Sequence, residues 1–529
     1  MLFLFLVKQI NLLDSRDNYK LSLRKEKCQK KILSQRKINL ENKQLEICPF
    51  KLKIKEEDLN SFRINDNNID ESIKKSITFL TNSNEDYVKF GVFLFGKYFK
   101  QKVEEENKSN KTKTYEFYID KFLEYNILDY IKNVLINFSQ PNIFYECFLF
   151  FINFTNFPSI QNKYEYYSQF SNSDFLNIYK KTLFFNDSLI ITSLFDFLFN
   201  ICFENEICLK KIYESNLLKE ALNKYSNSDS INFNEIISFL HFIAIMTKNS
   251  NVFSEEEKEN FFNILINFIS NNQSEEAICY SLLGINYLIE YDYSNKKTII
   301  NLLIKNNNDY INKFISINYF NLHTYTQTSI TITLNILYYI FKNIENNDLL
   351  NILNNNSILD FYDFIFNNCE KYSIQLKILE SILLISKNND INIILKLTHH
   401  NLLYSIILIS LTSYDFLIRK ASLLIICYLL SLNNFDIASD IYKTQFIEYL
   451  TQKILKSETS IDIIQLSFNT IYYFIKCGCF FGKKNPFSNK FKEYGIEDII
   501  NKDYSNLNEE LDETIDKIKK ELDTETNEK

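Results

Sequence analysis

The sequence predicts an all-α fold, a right-handed superhelical solenoid of stacked helical repeats. Three observations carry this reading. Gly 6 and Pro 4 in 529 residues are too few for the turns of a β-sandwich or the linkers of a multi-domain chain. Apolar residues in the long middle zone fall at helical spacing and stop at Asn-rich clusters. The ends of the long helices then recur mostly about every 43–47 residues, with one longer step. A hydrophobic content of 46% supplies a core for such a stack, and the surplus of Phe and Tyr with Trp 0 fits drift toward AT-rich codons.

Residues 1–60 come first and are polar. Arg16, Lys20, Arg24, Lys25, Lys27, Lys30, Lys31, Arg36 and Lys37 are opposed only by Asp17 and Glu26. From Leu23 to Ile38 there is no Pro or Gly, so a helix of about four turns can form. Its apolar residues are too sparse for a core-facing stripe. This segment is expected to be disordered alone and to fold on an acidic partner.

Residues 70–500 are expected to form the array. A weak first unit surrounds Phe93 to Phe99, with a charged insertion from Glu104 to Lys113 between its helices. The pattern is clearest from Ile418 to Leu432, where Ala421, Leu424, Ile425, Tyr428, Leu429 and Leu432 share a helical face. Asn433-Asn434-Phe435-Asp436 reads as a turn, since Asn tolerates the left-handed conformation. A second helix follows on Phe446, Ile447, Leu450, Ile454 and Leu455. Equivalent helix ends fall at Asn153, Asn200, Ala244, Tyr287, Tyr339, Leu384, Cys427 and Tyr473. This is the armadillo/HEAT period, with about nine units. None can bury its apolar face alone, so the core runs through the stack. Residues 501–529 are expected to be a helical cap with a charged tail.

Composition and motifs exclude several function classes. A net charge of −7 argues against nucleic-acid binding by the body of the protein and suits a basic partner. The ten cysteines lie mostly in apolar helical stretches, as buried thiols of a reducing compartment do. Cys477 and Cys479 lack a second pair, and His241, His323, His399 and His400 lack ligand spacing, so no metal site or cofactor is expected. No nucleophile elbow or phosphate loop is present, and no enzyme activity is expected. The opening run to Val7 is too short for a signal-peptide core, and no apolar stretch reaches membrane-spanning length, so no membrane insertion is expected.

The order of parts resembles importin-α, the nuclear import adaptor family. Leu23-Arg24-Lys25-Glu26-Lys27 and Leu33-Ser34-Gln35-Arg36-Lys37-Ile38 are similar to its importin-β-binding helix. Ile475-Lys476-Cys477-Gly478, Asn485-Pro486-Phe487, Glu493-Tyr494-Gly495 through Ile499 and Asn508-Glu509-Glu510 resemble the sequence after its last armadillo unit. Tyr145-Glu146-Cys147 through Asn153, and Asn200-Ile201-Cys202-Phe203-Glu204, resemble its second and third units.

The resemblance implies importin-β as partner through Leu23, Arg24, Lys25, Lys27, Leu33, Arg36 and Lys37. It also implies basic nuclear localisation signals of cargo proteins in a concave groove, a nuclear export receptor with Ran, and shuttling between cytoplasm and nucleus. Asn153, Asn200 and Glu204 match the residues that would hold a signal peptide, with Asp196 beside them as a carboxylate for a lysine. The chain departs from the family at the groove tryptophans. Leu149 and Asp196 stand there, Leu240 and Ala244 replace a Trp and an Asn, and later units read Glu380 with Leu384 and Leu423 with Cys427. Those departures favour a second expectation, an armadillo scaffold that binds a different protein partner.

Overall fold

The computed structural model describes residues 68–109, 120–155, 167–203, 205–226, 232–271, 274–291, 297–305, 309–319, 326–355, 357–369, 371–388, 390–413, 415–458, 460–478, 485–501 and 509–524. Among them there are helices and no strand. The basic segment and its importin-β-binding-like residues, Leu23, Arg24, Lys25, Lys27, Leu33, Arg36 and Lys37, lie outside the described residues, as do Glu204 and His323. The chain divides into two compact units, Met1–Phe154 and Thr155–Lys529.

In the first unit, α1 (Ile69–Leu80), α2 (Glu85–Ser109), α3 (Ile127–Asn137) and α4 (Pro141–Thr155) pack around phenylalanines. Asp70 and Glu71 favour the start of α1 by facing its dipole. Ile69, Ser72, Ile73, Ser76 and Leu80 are its buried stripe. Phe99 meets Phe122 at 4.4 Å and Phe150 at 5.6 Å, both edge to face, the geometry that ring quadrupoles favour. The charged stretch expected as an insertion from Glu104 begins instead as helix, because α2 runs on to Ser109.

The second unit holds α5 (Ser173–Leu183), α6 (Ser188–Cys202), α7 (Glu206–Glu214), α8 (Leu217–Ser226), α9 (Phe233–Lys248), α10 (Glu255–Asn271) and α11 (Glu275–Tyr291). After them come α12 (Lys297–Lys305), α13 (Asp309–Tyr319), α14 (Thr326–Asn343), α15 (Asn346–Asn355), α16 (Ile358–Asn368) and α17 (Tyr372–Ser386). Next are α18 (Ile391–Thr398), α19 (Asn401–Thr412), α20 (Phe416–Ser431) and α21 (Phe435–Tyr442). In α22, Phe446–Tyr449 continues through a π turn at Leu450–Ile454 into Leu455–Ser457. The unit closes with α23 (Ile461–Gly478), α24 (Pro486–Glu493), α25 (Ile496–Ile500) and α26 (Glu509–Thr524).

These helices form rows. The long third helices α6, α9, α11, α14, α17, α20, α23 and α26 pack each on the next. Second helices α13, α16, α19, α22 and α24 make another row, and first helices α15, α18 and α21 a third. Three helices per repeat, packed row against row, is the armadillo arrangement. The repeat thus has a short first helix, α21 in the best-defined case, where the sequence suggested only a turn. Every expected helix end from Asn200 to Tyr473 lies in the last turns of a third helix of this unit, and Asn153 in those of α4.

Hydrogen bonds between neighbouring repeats carry the period directly. Asn388 donates to Asn346 at 2.8 Å, Lys396 to Asn354 at 2.7 Å, Ser405 to Asp363 at 2.8 Å and Gln452 to the Tyr494 carbonyl at 3.1 Å, each across 42 residues. His400 works in two directions. Its Nδ1 accepts from the Leu402 N–H at 3.1 Å, capping α19, and its Nε2 lies 3.0 Å from Asp360 of the preceding repeat. His399 faces Asp440 of the following one at 3.7 Å. The histidine pair therefore ties three repeats.

Asparagine does the work of glycine at the turns. Among the described residues, Asn126, Asn216 and Asn433 are the non-glycine residues with positive φ, and Asn434 caps α21 through its side chain. The C-terminal motif also has a local cause. Asn485 Oδ1 accepts from the Phe487 and Ser488 N–H groups at 3.0 and 3.3 Å, and its Nδ2 donates to the Ile475 carbonyl at 2.5 Å. Pro486 takes the first helical position, where no N–H is needed. Phe487 sits among Phe435, Tyr442 and Phe474 at 5.2–5.6 Å, and Gly495 turns the chain at φ 77°.

Candidate partner-binding surface

The predicted site residues fall on third helices, in different settings. Asn153, on α4 of the first unit, is half-buried and donates its amide to the Gly96 carbonyl at 3.4 Å. Leu149, one turn earlier, is also half-buried. In the second unit Asn200 is half-buried on α6 and donates to the Thr155 hydroxyl at 3.1 Å. Asp196, one turn before Asn200, is only 7% exposed. It lies on a helix buried from Ile190 to Cys202 except at Thr192 and Asn200.

The next two third helices are closed. From Glu235 to Thr247 every α9 residue is buried, Leu240 and Ala244 included, and from Ala277 to Ile289 on α11 only Leu283 is not. Rings fill this region. Phe199 stacks on His241 at 3.8 Å, His241 faces Tyr280 at 4.7 Å, and Phe195 meets Phe239 at 5.2 Å.

From α14 onward the row opens. Tyr338 and Tyr339 on α14, Leu383 and Leu384 on α17, Tyr428 on α20, and Tyr472 and Tyr473 on α23 are all half-buried. Leu423 and Cys427 lie beneath, fully covered. Lys377 sits 3.8 Å over the Tyr338 ring and 3.1 Å from Glu380, so aromatic and carboxylate together hold a nearly buried ammonium. One repeat further on, near the start of α20, Lys420 pairs with Asp462 at 2.5 Å and Arg419 with Glu458 at 3.0 Å. No residue pattern signals this change along the row, because α9, α11 and α20 are all apolar at helical spacing.

Burial also sets the protonation of thiols and of one tyrosine hydroxyl in the second unit. Burial pushes the Cys279 and Cys427 thiols up to about 12 and the Cys208 thiol up to about 11, so none is a thiolate at neutral pH. Burial likewise raises the Tyr473 hydroxyl to about 12, leaving it a neutral donor. The described residues contain no cluster of His, Cys, Asp and Glu fit to hold a metal ion. Nor is any described helix long and apolar enough to cross a membrane. What the row offers is a broken line of amphipathic rings and aliphatic side chains, suited to contact with another polypeptide.

A second feature lies on the second-helix side and had no signal in the sequence. The row of second helices is closely packed between α5 and α8 and from α13 to α24, but neither where α8 meets α10 nor where α10 meets α13. A cleft of about 760 Å³ opens there, lined from α7, α8 and α10. Its floor includes Leu218 and Phe261, and its α10 wall carries Asn260, Asn263 and Asn267.

No protein-family model and no curated protein matches the chain. Solved structures do. A crystal structure of an engineered protein aligns with TM-score 0.59 and 11% identity over 85% of this chain and 98% of its own. A structure from work on a phosphorylation switch controlling the interaction between cadherin and beta-catenin aligns with TM-score 0.51 and 10% identity, covering 86% and 87%. A designed armadillo repeat protein aligns with TM-score 0.38 and 14% identity over 49% of this chain and 98% of its own. At these identities the likeness concerns the fold: the chain is an armadillo-repeat solenoid.

Proposed function

We propose that this protein is a binding scaffold that holds an extended segment of a protein partner along the third helices α14 to α23. The observation that carries this is the change from the covered α9 and α11 to the half-buried tyrosines of the later helices. Packed helices lie about 8–10 Å apart, so each repeat spans about three residues of an extended chain. Tyrosine presents a rigid apolar face and a polar tip, the combination enriched where proteins meet. The test is a protein-capture experiment with the intact chain and a Tyr339→Ala/Tyr428→Ala/Tyr473→Ala variant. Any partner recovered by the wild type and then purified should bind the variant about tenfold or more weakly. Equal binding would remove the third-helix row as the site.

A second reading is narrower: an importin-α-like adaptor that carries basic signals to importin-β and shuttles between cytoplasm and nucleus. Its support is the basic segment ahead of the array, with Arg24 and Lys25 at its centre. Further support comes from the half-buried Asn153 and Asn200 near the C-terminal ends of their helices, where the helix dipole favours a cation. On this reading Glu204 receives a lysine, and Asp196 contributes through the 7% of its surface that solvent reaches. Two titrations separate the readings. Importin-β should bind the chain in a salt-sensitive manner and fail to bind Arg24→Glu/Lys25→Glu. A labelled lysine-rich signal peptide should bind weakly and lose that binding in Glu204→Lys. Absence of both interactions leaves the scaffold reading alone.

A further inference from the structure

We infer that Lys377 is a built-in occupant of a cation slot on the third-helix row, and that it makes the step from α14 to α17 refuse a basic side chain from a partner. The inference rests on the reading of that row as the partner-binding surface. It names a residue that sets the class of segment the row accepts.

The slot is made by two helices. Tyr338 of α14 supplies a ring face and Glu380 of α17 a carboxylate, and both residues are half-buried. Lys377 stands three residues before Glu380 on the same helix. A pair at that spacing on a helix surface ordinarily leaves the lysine stem in water and contributes little. Here the side chain reaches across to the preceding repeat. Its ammonium lies 3.8 Å over the Tyr338 ring and 3.1 Å from Glu380, and only 7% of the residue is exposed. An ammonium so covered is costly unless a carboxylate and a π-face both compensate it. Those are also the contacts that a lysine of a ligand would need, the carboxylate for its head and the ring for its stem. The chain has filled them itself.

Neighbouring groups close the point further. Lys342, one turn beyond Tyr338 and exposed, is 5.9 Å from the same ring. An incoming ammonium would therefore meet two of its own sign at that ring. The device recurs nearer the start of the row. Lys248, the last residue of α9, lies 4.3 Å over the ring of Phe203, the residue that ends α6. Again a lysine of one repeat covers a ring of the repeat before. Phe203 stands three residues after Asn200. A ring of the row thus carries the chain's own lysine both near Asn200 and beside Glu380.

Lys377→Ala removes three methylenes and the ammonium, so n-propylammonium is the missing fragment and serves as the probe. The variant should melt below wild type, and n-propylammonium chloride at about 50 mM should restore at least half of the loss. Equal concentrations of n-propanol or sodium chloride should not. Lys377→Met, which fills the slot with an uncharged chain, should not respond, nor should Lys377→Ala/Glu380→Gln. A labelled lysine-rich peptide should bind Lys377→Ala about tenfold or more tightly than wild type, and Glu380→Gln should erase that gain. Acetylation of the wild type gives a measurement that needs no cavity. Lys377 should react about tenfold or more slowly than the exposed Lys342, and Tyr338→Ala should release it. Rescue by n-propanol, no rescue of a folded Lys377→Ala, equal acetylation of the two lysines, or peptide binding indifferent to Lys377 would overturn the proposal. Failure of the row reading would look different. A purified partner would then bind the Tyr339→Ala/Tyr428→Ala/Tyr473→Ala variant as it binds wild type, with the n-propylammonium result unchanged.

Discussion

The carboxamide of Asn485 occupies the space into which any side chain on Gly478 would project. The last turn of α23 and the cap of α24 are thereby keyed to each other. The same carboxamide bonds back to the Ile475 carbonyl and forward to two N–H groups of α24. The glycine and the asparagine are thus one structural device. The strongest part of the resemblance in the C-terminal sequence encodes how the last repeats join.

Gly478→Ala should accordingly destabilise the C-terminal repeats by about 1–3 kcal/mol, the usual cost of overpacking a tight site. Asn485→Ala should cost at least as much, since it removes a cap worth about 1 kcal/mol and strips a buried carbonyl of its donor. Urea melts of both variants are the measurement. A Gly478→Ala melt superimposable on wild type would mean that the helices part easily.

Glu146 gives the first unit a pH dependence. Burial raises its carboxyl from 4.5 to about 7. Below pH 4.5 the folded and unfolded carboxyls are both protonated. Between 4.5 and 7 the unfolded chain releases its proton while the folded one keeps it, so stability falls as pH rises. Above 7 the whole penalty stands, on the order of 3 kcal/mol. Glu146→Gln should stabilise α4 at pH 8 and flatten this dependence. Hydrogen exchange of α4 at pH 5 and pH 8 would show it, and parallel profiles for the two proteins would refute it.

The seven described cysteines, Cys147, Cys202, Cys208, Cys279, Cys369, Cys427 and Cys477, are all buried and free. None should react with a maleimide in the native protein at pH 7.5, and all should react in urea. Mass spectrometry after brief labelling reads this out. Native labelling of Cys427 would show that α20 opens locally.

Two neighbouring ion pairs should differ in weight. Glu458 is 9% exposed and its partner Arg419 26%, whereas Asp462 is 43% exposed beside Lys420. Arg419→Ala deprives a covered carboxylate of its guanidinium and should cost about 1–3 kcal/mol. Lys420→Ala should cost within about 1 kcal/mol. Thermal melts at low and high salt distinguish them, and the reverse ranking would contradict the burial argument.

The array was legible because its signal is repeated. Helix ends from Asn153 to Tyr473 were placed by spacing alone, and the left-handed turn was placed at Asn433 and Asn434, where Asn433 adopts it. Short first helices were not legible. Phe435–Tyr442 has eight residues, too few for periodicity to separate a helix from a turn. Site exposure was less legible still. A carboxylate reads as surface, yet Asp196 is covered because α6 is apolar on every side. The cleft beside α8 depends on helices that do not pack closely, and no local pattern of residues records a contact that is missing.

The same gap has a mechanical meaning. A solenoid behaves as a spring whose stiffness at each joint depends on how many rows cross it. Third helices cross the joint from α6 through α9 to α11, but close packing of the second helices lapses between α8 and α10. That joint and the next, between α10 and α13, are the compliant coils of the second unit. Under tension they should extend before the joints between α16, α19 and α22, where second and third helices both hold.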